Sequence, residues 1–194
     1  MSDLTITNAG VTVTPNSPGS SISTGRRAVI RVTPTCTTDA LTSVSDVIFN
    51  AAEIPNAVRE QGGCSKLVAA YVIDHTGTLN DLRIIYHQRG DIDVGPTDSS
   101  ATANISEANV RLINILGAHQ LDASEQDIQL SGCRIYALGG AGSTATSSSD
   151  HPIKDIPILL QSEKGSTSVY FSGITLTAET FAADSLQFIF HIEY

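Results

Sequence analysis

Apolar and polar residues alternate over most of this chain. In the final run, DSLQFIFHIEY (184–194), Leu186, Phe188, Phe190 and Ile192 take one side, and Gln187, Ile189, His191 and Glu193 take the other. A period of two puts successive side chains on opposite faces, so this is a half-buried β-strand. Strands are also predicted in RRAVIRVTP (26–34), SDVIFN (45–50), SKLVAAYVID (65–74), LRIIYHQ (82–88), DIQLSGCRIYAL (127–138), IKDIPILLQS (153–162) and TSVYFSGITL (167–176). Pro34 ends the first of these and Pro157 marks an edge, because proline cannot donate to a sheet ladder. Gly132 interrupts its run and reads as a bulge. TGTLND (76–81) is a short connection rich in turn residues, so 65–74 and 82–88 read as a hairpin.

One segment has a helical period. In ISEANVRLINILG (105–117), Val110, Ile113 and Leu116 share a face, with Leu112 and Ile115 beside them. Ser106 is a good N-cap, Glu107 suits the positive end of the helix dipole, and Gly117 fits the left-handed position past the C-terminus. The pattern predicts a helix over about 106–116, with an apolar face wide enough to pack hard on a sheet. About eight strands and one helix define a mainly β chain, an antiparallel β-sandwich or jelly-roll-like domain.

Residues 1–25 differ from the rest. Ser, Thr, Asn, Gly and Pro dominate, and Leu4, Ile6, Val11 and Val13 alternate with polar neighbours. They read as an extended N-terminal arm with one or two short strands, ahead of a β-sandwich domain over 26–194. The arm is either a loose terminus or a clasp on a neighbouring subunit.

Composition narrows the function classes. A chain of 194 residues buries roughly 70% of its unfolded surface, so its core needs neither disulfide nor metal. Acidic residues outnumber Lys and Arg by 20 to 11, which disfavours nucleic acid and anionic membranes as partners. The first residues, MSDLTITNAG, lack the basic and apolar regions of a signal peptide. No apolar run reaches the ~18 residues of a membrane span. Assembly in a cytoplasm follows, and there Cys36, Cys64 and Cys133 are expected as three free thiols.

The candidates for chemistry are thin. No GxSxG, phosphate-loop or dinucleotide pattern occurs. GGAGSTATSSSD (139–150) is Gly-rich but lacks a lysine and precedes no helix, so it reads as a flexible loop. The histidines His75, His87, His119, His151 and His191 show no metal spacing. DIDVGPTD (91–98) offers Asp91, Asp93 and Asp98 as oxygen donors around Gly95, yet falls short of a calcium loop. DASEQD (122–127) is weaker still, and the sequon at Asn104–Ser106 means nothing without secretion. EIPNAVREQGGCS (53–65) is the most specific-looking loop. Pro55 can start a helical turn in NAVRE with Val58 inward, and Gly62 and Gly63 allow positive φ. Glu53, Arg59, Glu60 and Cys64 have no visible partner base, so the loop reads as a connector. No catalytic, cofactor-binding or metal-binding residue is expected.

Taken in order, EIPNAVREQGGCSKL, VIDHTGTLNDLRIIYHQ, ISEANVRLINILG, KGSTSVYFSGI and DSLQFIFHIEY resemble a group of tailed-bacteriophage proteins, many of them marine. The resemblance spans about residues 46–194 and leaves the arm unmatched. It implies a virion structural protein, a capsid decoration (cement) protein on the head surface. The implied partner is the major capsid protein, and the implied form is a homotrimer. Alternatives are a tail, collar or fibre-associated protein and a carbohydrate-binding module. An enzyme is not expected.

Overall fold

The computed structural model describes residues 6–8, 11–13, 27–41, 46–77, 81–97, 105–121, 128–130, 132–138 and 157–194. Two antiparallel sheets dominate. The larger places β3 (Arg27–Val32), β14 (Leu186–Glu193), β6 (Cys64–Asp74), β10 (Cys133–Leu138) and β9 (Ile128–Leu130) side by side. A further strand, β11 (Ile158–Gln161), pairs with β6 beyond the end of β10. The smaller sheet has the order β5 (Val47–Ile54), β12 (Val169–Thr175), β7 (Leu82–His87), β8 (Ile115–Leu121). Two short pairs complete the strands: β1 (Ile6–Asn8) with β2 (Val11–Val13), and β4 (Ala40–Leu41) with β13 (Glu179–Thr180). The chain is thus mainly β, with antiparallel sheets and one helix, α1 (Glu107–Ile113), consistent with a β-sandwich.

The core lies between the two sheets, where the alternation places it. Leu186, Phe188, Phe190 and Ile192 of β14 are fully buried against Ile48, Phe49, Ile84, Tyr86 and Phe171. Phe171 is the centre of an aromatic cluster. Its ring centroid is 5.3 Å from Phe49, 4.9 Å from Phe188 and 5.0 Å from Phe190. All three contacts are edge-on, the favoured arrangement of ring quadrupoles. β12 carries a register irregularity around Gly173, where a side chain would strike the Phe49 ring.

Four expectations are corrected. First, 65–74 and 82–88 are not a hairpin. β6 belongs to the larger sheet and β7 to the smaller, so the chain crosses the sandwich between them. Both strands have an apolar inner face, and each satisfies its edges with partners distant in sequence, β14 and β12. Second, the helix is shorter than 106–116. Ser106 does cap it, accepting a hydrogen bond from the Asn109 amide. Asn114 then turns left-handed at φ 53°, and Ile115–Leu121 leave as β8 to pair with β7. Gly117 lies in that strand, not at a helix end. Third, Gly132 is not a bulge: Leu130 and Cys133 are paired, and Gly132 at φ 80° belongs to the two-residue connection between them. Fourth, NAVRE forms a non-helical turn. Asn56 takes φ 53° and Gly62 takes φ 73°, whereas Gly63 does not need positive φ.

Candidate functional site

The two sheets differ in what covers their outer faces. Behind the smaller sheet, Val47 of β5 packs with Ile92, Val94, Ile113 and Ile105 in a second apolar cluster. The 91–97 loop supplies this cover through its own alternation, burying Ile92 and Val94 and exposing Asp91 and Asp93. Asn50 fastens it: its side-chain amide donates to the Gly95 carbonyl at 2.7 Å and accepts from the Val94 amide at 3.0 Å. The acidic segment singled out as a cation candidate is therefore a lid on an apolar surface. Arg89 takes Asp91 in a two-point contact at 2.8 and 2.6 Å, and this holds the Asp91 carboxyl below its usual range. Asp98 lies outside the described residues.

The larger sheet has no such cover among the described residues. Its register aligns outward side chains into rows: Gln187, Ile73, Ile135 and Ile128; then Arg31, Ile189, Tyr71 and Ala137; then Val29, His191 and Ala69. A last row holds Arg27, Glu193, Lys66 and Leu159. Val29, Ile128, Leu130 and Leu159 are each more than half exposed. The His191 ring on this face meets Tyr71 edge-on at 5.5 Å. The charges on this face sit at its β3 margin and along its last row, and most are basic. Arg27 pairs with Glu193 at 3.5 Å, and Arg31 and Lys66 are exposed, although the chain carries a net charge of −9. A second exposed apolar surface is α1 itself. Only Ile113 of the helix is buried, while Val110 and Leu112, with Ile115 just beyond, face outward. The expectation that this helix packs hard on a sheet is corrected accordingly.

The loop that stood out in the sequence is bonded to the turn before β12. Val58 donates its amide to the Thr167 carbonyl at 3.0 Å, and Gly62 donates to Ser166 at 3.0 Å. Ser65 donates its hydroxyl to the Ala57 carbonyl at 2.6 Å, and Tyr194 donates its own to Asn56 at 2.6 Å. Ala57 and Val58 are buried, and Arg59 and Glu60 point outward. Glu53 accepts from the Ser168 hydroxyl at 2.6 Å. Glu53, Asn56, Ala57, Val58, Gly62 and Ser65 thus have local tasks in closing this end of the sandwich, while Arg59, Glu60 and Cys64 are exposed. Beside it is a shallow cleft of about 280 Å³ lined by Gln88, Arg89, Gly90, Asp91, Glu163, Ser166 and Tyr170. Arg89 there is shared between Asp91 and Glu163.

Pattern reasoning missed one arrangement with catalytic form. His87 Nδ1 donates to the Arg89 carbonyl at 2.7 Å, so its Nε2 accepts from the Ser172 hydroxyl at 2.9 Å. That is the hydrogen-bond order of a serine–histidine dyad. Yet both residues are fully buried, and Ser172 also accepts the Ala51 amide at 3.0 Å. Ala51 has φ 27°, and the hydroxyl satisfies an amide that this local distortion takes out of the ladder. No substrate can reach Ser172, so the dyad form serves the backbone. The signal available in the sequence was only a serine and a glycine together in a strong strand.

The remaining titratable groups are apart. His119 and Tyr86 meet in the core, Nδ1 to hydroxyl, at 3.1 Å, and burial lowers His119 to a pKa of about 4. His75 lies 3.9 Å from Cys133, and His151 is outside the described residues, as are 122–127 and 139–150. No cluster of three metal-ligating side chains occurs among the described residues. Cys36 is buried, and burial pushes its thiol up to about 11, away from reactivity. Cys64 is exposed and Cys133 half-buried; neither is bonded to another cysteine. No helix among the described residues is long and apolar enough to cross a membrane. Compared with known proteins, the chain matches no family model and no curated protein.

Proposed function

We propose that this chain is a non-enzymatic structural protein of a phage virion, a decoration protein that stabilises the head shell. The observation that carries the reading is the exposed apolar side of α1, Val110 and Leu112 with Ile115 just beyond, because contiguous exposed apolar surface marks an interaction site. A solvated sheet face ordinarily alternates to polar residues, and the outer face of the larger sheet, which no described residue covers, adds a second surface of the same kind. A small acidic domain with two apolar surfaces is built to be held between neighbours. Several weak contacts, repeated over a symmetric shell, would add through avidity. The order of sequence motifs supports the phage setting. A tail, collar or fibre position is the same reading at another place on the particle.

The test is co-sedimentation of purified protein with expanded heads, using the wild type and a Val110→Asp, Leu112→Asp variant. Saturable binding by the wild type, lost in the variant, is expected. Absence of binding rejects the head reading, and binding confined to the vertices moves the protein to the tail or portal end.

The polar cleft favours one alternative, a carbohydrate-binding module. Tyr170 lines it beside Arg89, Asp91 and Glu163, the mixture of ring and planar polar groups that holds sugars. Its ring packs on Gly90, where a Cβ would come within 2.3 Å of it. A glycan array read against Tyr170→Ala distinguishes the two readings.

A further inference from the structure

We propose that the uncovered face of the larger sheet is where two copies of this chain pair, face to face about a twofold axis. The argument begins with the rows. Ile73, Ile135, Tyr71 and Ile189 occupy the middle of the face on three adjacent strands, β10, β6 and β14. Three of the four are β-branched, and none carries a charge. Buried strands of this composition normally have a second layer on each side. The core fills one side of this sheet, and no described residue forms a layer on the other. The smaller sheet, by contrast, has its own outer layer in Ile92, Val94 and Ile113. Among the described residues, one face is therefore a layer short.

Size agrees with pairing. Five strands at ~4.8 Å spacing, averaging about seven residues at ~3.3 Å, give a face of roughly 24 by 22 Å, on the order of 550 Å² before side-chain relief is counted. A stable protein interface buries about 800 Å² on each partner. A single peptide strand or one turn of helix covers far less than this face offers. A second sheet of the same dimensions covers it, at the ~10 Å separation and small angle of aligned sheet packing.

The charges are accommodated at the rim of the same arrangement, where Lys66 of each copy lies at the solvent-open end of the axis. A twofold axis running along the strands lays the β3 margin of one copy over the β9 margin of the other. Arg31 then lies nearest Ile128 and Arg27 lies nearest Leu159 at the other end of the face, so neither arginine meets its own copy. Their aliphatic stems can lie on those residues while the guanidinium groups reach solvent at the rim. An isologous contact of this kind closes as a pair, in place of the threefold cluster implied by the resemblance. Pairing is a property of the chain alone, so it stands or falls separately from shell binding.

The experiment is sedimentation velocity of the full chain over a concentration series. The expected mass is twice the 20.4 kDa of one chain. Ile73→Glu and Ile189→Lys, each placing a charge at the centre of the face, should weaken pairing by about thirtyfold or more. Leu112→Glu on α1 should leave it unchanged. Far-UV circular dichroism of each variant reports whether the fold is kept. A second measurement needs no variant. Cys133, at the upper end of the face, should be alkylated more slowly as wild-type concentration rises into the paired range. A monomeric wild type, including one whose face is covered by its own residues 1–26, overturns the proposal. So does a trimer, a pair that survives both face variants while still folded, or a Cys133 rate that ignores concentration.

Discussion

Gly173→Ala measures how tightly the two sheets are locked. Gly173 lies on β12 between Phe49 of β5 and Ile84 of β7. A Cβ at this position would come 2.4 Å from Phe49 Cε1, 2.8 Å from Cζ and 3.0 Å from Cδ1. Carbon atoms are comfortable at about 3.5–4.0 Å, so the ring must retreat by about 1 Å. It has little room, because Phe171 and Phe188 hold it edge-on at 5.3 and 5.6 Å and it is only 2% exposed. Overpacking of this kind costs about 1–3 kcal/mol, and a ring blocked on two sides belongs in the upper half. Alanine also narrows the unfolded ensemble, which returns about 0.4–1 kcal/mol. The net expectation is a loss of about 2 kcal/mol. For a chain of this length each kcal/mol moves Tm by about 2–4 °C, so Tm should fall by about 4–8 °C. Urea unfolding of Gly173→Ala, Phe49→Leu and the double variant completes the cycle. Phe49→Leu removes the atoms the new methyl would strike, so the double variant should be more stable than the sum of the singles by about 1 kcal/mol or more. A single-variant change within about 0.5 kcal/mol, or an additive cycle, would refute the account of the clash.

Two further outcomes follow from the buried polar groups. Ser172→Ala strands the Ala51 amide and His87 Nε2 in the core, and each orphaned group costs about 1–3 kcal/mol, so chemical denaturation should show a loss of about 3 kcal/mol; an active-serine fluorophosphonate probe should leave the native wild type unlabelled, and labelling at Ser172 would overturn the structural role. His119 has its folded pKa lowered to about 4 from 6.5, so the unfolded chain binds the extra proton between those values: its contribution is whole above pH 6.5 and is lost as pH falls towards 4, a span of about 3 kcal/mol. His87 is lowered by burial too and acts in the same direction. His119→Phe should therefore flatten, without abolishing, the acid side of a stability–pH curve measured by urea unfolding, and an unchanged slope would show that His119 does not titrate in this way.

Much of the fold was legible because alternation is a local property. Each predicted run contains a strand, and the inward set of the last one, Leu186 to Ile192, is the core. What misled was the meaning of closeness along the chain. β6 and β7 are joined by a short turn-rich link, and the rule for such links predicts pairing. Both strands have one face buried in the same core, however, and a sandwich satisfies that equally well by placing them in opposite sheets. The helix erred for a related reason. Val110, Leu112, Ile113, Ile115 and Leu116 fit a helical face until Asn114 turns left-handed, after which Ile115 pairs with His87. A short apolar run admits both periods, and the open edge of β7 decides between them.

The candidate interaction face was hidden for a deeper reason. Taken strand by strand, its residues look unremarkable: Ile73 stands beside Asp74, Ile135 beside Arg134, Ile189 between aromatic core residues. The outward sets of β14 and β6 contain polar members, Gln187 on one and Lys66 on the other, so those strands read as half solvated. Only the register shows that Ile128, Ile135 and Ile73 fall in one row, and that Tyr71 and Ile189 lie directly beneath. An apolar patch on a sheet is a property of alignment between strands that are far apart in sequence, and no period along one strand contains it. The active-looking loop errs the opposite way. EIPNAVREQGGCS draws the eye because its residues are chemically specific, yet several are used by a neighbour within a few ångströms: Gly62 by Ser166, Val58 by Thr167, Ser65 by Ala57. In this protein the specific residues hold the structure closed, and the plain ones leave it open to a partner.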